Sequence, residues 1–235
     1  MDQLPTYHSQ VIEDGFAIVR SVIDTEAVSA LIAVFENLGQ NGAIQRRGGI
    51  RNLLGVAPQA RELADSKPVR EIVNAILGAQ AFPVRGILFD KTPDANWKVP
   101  WHQDVTIAVA GREEVDGYGP WSVKAGGVLH VQPPAEILER MLSVRIHLDP
   151  CGEENGALKV LPGTHRLGKL SEDEVARMGA EEQAVMCSAN IGDAVLMRPL
   201  LLHSSSASDS PSHRRVIHLD FAAVELPVPL RWAVN

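Results

Sequence analysis

Two textures of hydrophobic spacing divide the chain. Up to about residue 80 apolar positions recur at helical intervals, and beyond it they fall in short runs broken by turn residues. After a short strand over 15–19, Asp24 or Thr25 is placed to cap a helix with Val28, Leu31, Ile32, Phe35 and Leu38 on one face and Gly39 as its stop. The stretch 40–49, rich in Gly, Asn and Arg, predicts a loop. A second helix starts near Pro68, presents Val69, Ile72, Val73 and Ile76, and stops at Gly78. Both helices read as scaffold for a sheet.

From Phe82 onward the pattern predicts strands over 82–91, 101–108, 142–149, 157–161, 184–187, 194–198, 201–205 and 214–224. Turn signals separate them at Pro93-Asp94, from Gly152 to Asn155-Gly156, at Pro162-Gly163, at Gly192-Asp193 and from Ser208 to Pro211. One short helix, 171–178, interrupts the series. Many short strands at this spacing predict a mainly β fold with flanking α-helices, a two-sheet jelly roll or barrel. The segment 111–140 is too long for a hairpin turn and rich in Gly and Pro, with a helical piece near 135–141. Such a connection reads either as a lid over a substrate or as an interface loop. The expected organisation is one domain over 1–235. It has a helical scaffold at about 1–80, a jelly-roll core at about 82–225 and a lid-like insertion at about 111–140.

Composition narrows the partners. A hydrophobic content of 45% is ample for a core, and a formal charge of −7 argues against nucleic acid, whose phosphates need a basic surface. The opening residues lack a signal-peptide pattern, and no apolar run approaches the ~20 residues of a membrane span. The expectation is a cytoplasmic protein acting on a small molecule, with no nucleic acid and no membrane. Cys151 and Cys187 have neither disulfide-framework nor metal-site spacing and read as ordinary thiols.

Candidate chemistry centres on Trp101-His102-Gln103-Asp104, followed much later by His203 and Arg214. A His and a carboxylate two positions apart share one side of an extended strand. A second His from a distant strand completes a set of two imidazoles and one carboxylate, which suits non-heme Fe(II) and leaves positions open on the metal. Two further His-x-Asp triplets, His147/Asp149 and His218/Asp220, weaken the motif taken alone. Asp149 abuts a Pro-Cys-Gly turn, where Asp commonly accepts hydrogen bonds, and no His follows His218. Arg214 shares a strand face with Val216, His218 and Asp220, opposite the mostly apolar face of Arg215, Ile217, Leu219 and Phe221. It is therefore a candidate for bidentate carboxylate recognition. Ser205 lies on the same strand side as His203.

The residues Leu88-Phe89-Asp90-Lys91 through Trp101-His102-Gln103-Asp104 resemble the phytanoyl-CoA dioxygenase family. So do Asn155-Gly156-Ala157-Leu158 through Leu161-Pro162-Gly163-Thr164-His165, Gly192-Asp193 through His203, and the opening Asp14-Gly15-Phe16 before a helix. The resemblance covers nearly the whole chain. It implies a double-stranded β-helix (cupin-like) fold and dependence on Fe(II), 2-oxoglutarate and O2. By position, His102, Asp104 and His203 would bind iron, and Arg214 with Ser205 would bind the distal carboxylate of 2-oxoglutarate. Arg51 would be the basic side chain that the family brings to the cosubstrate from ahead of the barrel.

Where some relatives carry an aromatic residue on the strand after the lid, this chain has Arg145, with His147 on the same face. Those two, together with Trp101, Trp121 and Lys124, are candidates for substrate contact. Related halogenases have a small residue where Asp104 stands, so the resemblance implies hydroxylation of a small metabolite, or a related oxidation such as desaturation, with release of succinate and CO2. Two readings remain open beside it. One is a cupin-like isomerase or dioxygenase that makes no use of 2-oxoglutarate; the other is a non-catalytic binding module on the same fold.

Overall fold

Alternation on three long strands gives one sheet an apolar face and a polar face, and this division places everything else. The computed structural model describes residues 5–40, 49–124, 126–209 and 212–233. The loop expected at 40–49 therefore lies almost wholly outside the described residues, as does part of the turn expected at 208–211. In chain order the first part comprises α1 (Thr6–Glu13), β1 (Phe16–Val19), α2 (Thr25–Gln40), β2 (Gly49–Ile50), α3 (Leu53–Val56), α4 (Pro58–Asp65) and α5 (Lys67–Leu77). There follow β3 (Phe82–Lys91), β4 (Val99–His102), β5 (Ile107–Ala108), β6 (Trp121–Val123), β7 (Leu129–Val131), α6 (Ala135–Glu139) and β8 (Met141–His147). Last come β9 (Leu158–Val160), α7 (Glu172–Glu181), β10 (Val185–Cys187), β11 (Ala194–Met197), β12 (His203–Ser205) and β13 (Arg214–Ala222).

The strands form a six-stranded sheet in the order β1-β11-β8-β13-β3-β2, a four-stranded sheet β10-β9-β12-β4 and a three-stranded sheet β5-β7-β6. The two larger sheets face each other as in a double-stranded β-helix, and residues of both line one cavity. On the outer face of the six-stranded sheet, Leu142, Val144, Ile146, Ile217, Leu219 and Phe221 pack against Val28, Leu31 and Phe35 of α2 and Val69, Ile72 and Val73 of α5. Each such side chain contributes about 1.5–3 kcal/mol by leaving water. The inner face of the same strands carries Ser143, Arg145 and His147 on β8, Arg214, His218 and Asp220 on β13, and Arg85 and Lys91 on β3. No helix among the described residues is long and apolar enough to cross a membrane.

Three departures from the sequence-based expectations matter. The strand expected over 101–108 stops at His102, and residues 103–106 are irregular. There the Gln103 amide donates to Leu200 O (2.7 Å) and Gly168 O (2.8 Å) and accepts from Leu170 N (2.8 Å), replacing ladder bonds with side-chain bonds. Segment 111–140 carries structure of its own, because β6 and β7 pair across a turn closed by Lys124 N–H to Val128 O (2.9 Å) and β7 also pairs with β5. Finally, α1, α3 and α4 were not expected: the latter two are too short to show a clear helical period, yet α4 starts on Pro58 and buries Ala60, Leu63 and Ala64.

Strand register fixes the buried charges. Asp220 lies opposite Arg85 on one side and Ser143 on the other, and His218 lies opposite Arg145. The Asp220 carboxylate accepts from Arg85 Nε (2.5 Å), Ser143 Oγ (2.6 Å) and His218 Nε2 (2.8 Å). Burial alone would raise this carboxyl, but Arg85, His218 and the Ser143 hydroxyl hold it well below the usual carboxylate range. Removing one partner of such a pair leaves the other charge uncompensated. Asp220→Asn should therefore lose about 3 kcal/mol and about 10 °C in Tm, read by thermal denaturation at neutral pH. A depressed carboxyl stabilises the fold above its unfolded pKa and stops doing so as pH falls. The gap between wild type and variant should accordingly close below about pH 4. Equal melting at neutral pH would show that the pair adds no stability.

Candidate active site

Antiparallel pairing of β12 with β4 sets His203 directly opposite His102. Their rings lie 4.1 Å apart between centroids, tilted by 51°. Each Nδ1 faces a backbone carbonyl two residues earlier, His102 toward Pro100 O (2.9 Å) and His203 toward Leu201 O (2.8 Å). With Nδ1–H donating there, both Nε2 lone pairs point the other way, the orientation that a metal-binding imidazole needs. Thr164, within the Leu161–His165 motif, fixes the start of β12: its hydroxyl donates to Leu161 O (2.7 Å) and accepts from Leu202 N (2.9 Å).

Asp104 reaches the pair from beyond the end of β4. Its N–H donates to Pro199 O (2.8 Å), and the buried Gln103 side chain ties the same turn to Leu200. Asp104 Oδ1 is 3.8 Å from His102 Nε2, and Oδ2 is 3.8 Å from His203 Nε2. One donor atom from each residue lies within 4.8 Å of the others. These separations are too long for direct hydrogen bonds and match a gap bridged by two metal–ligand bonds of about 2 Å. Burial, reinforced by the neighbouring His102, pushes His203 down to about 3 against the pull of Asp104, so its imidazole is neutral. Burial would raise the Asp104 carboxyl, but His203, Arg85, His218 and His102 together hold it below the ordinary value. The set thus offers two imidazoles and one carboxylate, and it fits a divalent transition metal.

These three residues open onto a cavity of about 360 Å³. Arg145 and Arg214 line it, and the buried ammonium of Lys91, next to Ser205, adds a third cation behind that wall. Among the described residues no carboxylate bonds to any of them. Arg214 donates to the carbonyl of Gly156, which sits at φ +64°, where a side chain would also collide with the Ser206 backbone. Arg214 Nε and Arg145 Nε are buried without a partner. Arg145 Nη1 donates to His218 Nδ1 (2.8 Å), whose Nε2–H serves Asp220. Lys91 is fully buried; its ammonium donates to Ser206 O and lies 3.4 Å from Ser205 Oγ. Burial and the adjacent Arg214 lower Lys91 to about 8, and burial with Arg214 lowers Arg145 to about 10. A buried cluster of unneutralised cations is a site for an anion.

Of the residues singled out from the sequence, His102, Asp104, His203, Ser205, Arg214, Arg51, Arg145 and Lys124 line this cavity together. Trp101 and His147 do not. Alternation along β4 sends Trp101 to the opposite face from His102, where it packs with Leu161, Met178 and Leu202 beneath α7. His147 is buried at the end of β8 with neither ring nitrogen partnered; burial, Arg145 and Arg214 push it down to about 3. Trp121 packs in the cluster around Val131 and Leu138. The two other His-x-Asp triplets serve the fold. Asp149 holds Arg215 through Nε (2.9 Å) and Nη2 (2.8 Å), and Asp220 holds Arg85. Sequence reasoning passed over Arg85, Lys91 and His130 as site residues. The period-two series Arg85, Ile87, Phe89, Lys91 on β3 carried the signal for the first two, whereas nothing local marked His130.

The fold has many solved counterparts. AviO1 from Streptomyces viridochromogenes Tue57 is 23% identical, with 97% of this chain and 99% of that one covered and a TM-score of 0.69. EctD from S. alaskensis, solved with 2-oxoglutarate and 5-hydroxyectoine, is 20% identical over 92% of this chain and 75% of its own, with a TM-score of 0.69. The epimerase SnoN from nogalamycin biosynthesis, solved with Fe3+, alpha ketoglutarate and nogalamycin RO, is 16% identical over 92% and 82%, with a TM-score of 0.71. At these identities the likeness shows the double-stranded β-helix fold. No curated protein sequence matches the chain. The sequence profile of phytanoyl-CoA dioxygenase (PhyH), in contrast, matches residues 11–216. The chain belongs to the phytanoyl-CoA dioxygenase (PhyH) family, whose members depend on Fe(II) and 2-oxoglutarate.

Proposed function

We propose that this protein is an Fe(II)- and 2-oxoglutarate-dependent dioxygenase that hydroxylates a small-molecule metabolite. The observation that carries the reading is the convergence of His102, Asp104 and His203 within 4.8 Å beside a buried, carboxylate-free cluster of cations. In this reading His102 Nε2, Asp104 and His203 Nε2 hold the iron. Bound iron, with 2-oxoglutarate and O2, supplies the oxidising chemistry, giving succinate, CO2 and an oxidised C–H position on the substrate.

The chain's own residues bind, orient and exclude water. The Pro100 and Leu201 carbonyls lock both imidazoles with Nε2 toward the ion. Arg214, oriented by its Nη1 bond to the Gly156 carbonyl, receives the distal carboxylate of 2-oxoglutarate through its unpartnered Nε side, and Ser205 and the Lys91 ammonium stand beside it. Arg145, braced by His218 and through it by Asp220, adds a fixed positive charge at the same end. Val99, Leu158, Ile87 and Phe89 supply the apolar wall that keeps water from the reacting centre.

Hydroxylation is favoured over stereochemical inversion, the reaction named for SnoN, by the make-up of the cavity. Inversion at carbon needs a hydrogen donor at the opposite face, and among the described residues neither a Tyr phenol nor a Cys thiol lines the cavity to serve as one. Product mass tests this: a gain of one oxygen supports hydroxylation, whereas an unchanged mass overturns it.

Two predictions follow from the assigned roles. Asp104→Ala and His203→Ala should reduce uncoupled release of succinate from 2-oxoglutarate to background in an Fe(II)-supplemented assay; wild-type turnover in either would remove that residue from the ligand set. Lys91 should make cosubstrate affinity pH-dependent. Its lowered pKa leaves it charged below about 8 and neutral above, so the Kd for 2-oxoglutarate should rise between about pH 7 and about pH 9. Lys91→Met should weaken binding about tenfold at the lower pH and flatten the profile. A variant with the wild-type slope would show that Lys91 has no part in it. Anaerobic titration of the Fe(II) protein, followed by its visible absorption, measures both.

A further inference from the structure

A second group of cations lines the same cavity; the resemblance gave Arg51 among them to the cosubstrate, but Arg85 and Lys124 are left unused by the metal and cosubstrate assignments. Among the described residues five cationic side chains line it, Arg51, Arg85, Lys124, Arg145 and Arg214, against one carboxylate, Asp104. The whole chain carries a formal charge of −7, so this is a local concentration of positive charge. Arg145 and Arg214 belong with Lys91 at the cosubstrate end. Arg51, Arg85 and Lys124 form a separate group, gathered around His130.

The separation follows the strands: Arg85 and Lys91 stand apart along β3, and Arg85 Nη1 meets His130 of the β6–β7 hairpin, which also carries Lys124. His130 is lowered to about 4 by burial and by Arg85, Lys124 and Arg51, whereas Lys91 is lowered by burial, Arg214 and Arg145. Arg51 is itself lowered by burial and by Arg85. Arg85 is the fixed member. Its Nε is spent on Asp220 and one Nη1 proton faces His130 Nε2 at 3.4 Å. His130 Nδ1 faces Val128 O at 3.1 Å, so Nδ1–H donates there and Nε2 is the acceptor toward Arg85. The described residues give the remaining N–H groups of Arg85 no acceptor. Asp220, the only carboxylate among the described residues bonded to this group, already accepts from Ser143 and His218. Arg85 also acts electrostatically on Asp104, which places the group beside the metal-binding residues.

From this we infer that the outer group is the substrate anchor, and that the substrate is a small anion whose carboxylate or phosphate is gripped by Arg85 and Lys124, with Arg51 alongside. The inference rests on the 2-oxoglutarate reading, because the inner cations must be taken by the cosubstrate for the outer ones to fall to the substrate. Size agrees. At about 360 Å³ the cavity is at the low end for ligand sites and must hold cosubstrate and substrate together. Lys124 and His130 both come from segment 111–140, which gives that segment a substrate-contacting wall.

The test is calorimetric titration, without oxygen, of Fe(II) protein saturated with 2-oxoglutarate. The probes are benzoate and phenyl phosphate, with benzamide as the uncharged match. The two anions should bind and benzamide should not; whichever anion binds more tightly identifies the favoured headgroup. Lys124→Glu, at an exposed position where folding is not at stake, should weaken anion binding about tenfold. Arg85→Lys keeps the charge opposite Asp220 and should weaken it less than Lys124→Glu does. Equal binding of benzoate and benzamide, loss of anion binding on saturation with 2-oxoglutarate, or a Lys124→Glu variant that binds as wild type would each overturn the inference. Anion binding by a protein that shows no 2-oxoglutarate absorption change would instead overturn the cosubstrate reading, while supporting an anion site at this position.

Discussion

Antiparallel pairing of β12 with β4 brings together two imidazoles separated by about a hundred residues of chain and turns each by a bond to its own strand's carbonyl. A slip of one residue would send His102 or His203 to the outer face, because side chains alternate. The register is held at both ends of the contact. Thr164 clamps Leu202, just before His203, and Gln103 bridges Leu200 and Leu170, just after His102. Asp104 is carried into place by that bridge and not by continuation of the strand. The precision of the site therefore comes from buried amide and hydroxyl bonds around a short two-strand contact.

Charge inside the barrel is tolerated on unequal terms. Asp220 is saturated by three donors in register across β3, β13 and β8, and it converts Arg85 and His218 into fixed struts. Among the described residues Lys91, Arg145 and Arg214 have carbonyls, a hydroxyl, an imidazole and the faces of Trp97 and Phe89 for company, and no bonded carboxylate. Cations held in this way are costly in an empty cavity and are relieved by an incoming anion. Stability and recognition thus trade against each other on one sheet face, with the apolar packing on α2 and α5 covering the cost.

Much of this was legible in the sequence, and the limits have physical causes. Alternation on β8 and β13 showed which residues face inward, and the spacing of His102, Asp104 and His203 marked three residues that the structure brings together. The same alternation, followed strictly along β4, would have set Trp101 against the outer wall. The strand expected over 101–108 failed at Gln103, because a buried amide can replace ladder bonds without leaving any period in the sequence. The pairings of Asp149 with Arg215 and Asp220 with Arg85 depend on cross-strand register, which single-chain spacing does not encode. His130 was invisible for a similar reason: its partner Arg85 is 45 residues away, and their meeting depends on how the three-stranded sheet sits against the larger one.

The two faces of β4 tie the reaction centre to the protein's exterior. His102 looks into the cavity while its neighbour Trp101 lies under α7, so closely that a methyl group added at Gly179 would collide with the indole. The bare backbone at 179 is thus the seat on which the ligand-bearing strand rests. Bulk introduced there would displace the indole and disturb the adjoining imidazole, so a helix outside the cavity bears on the aim of His102, the proposed metal ligand.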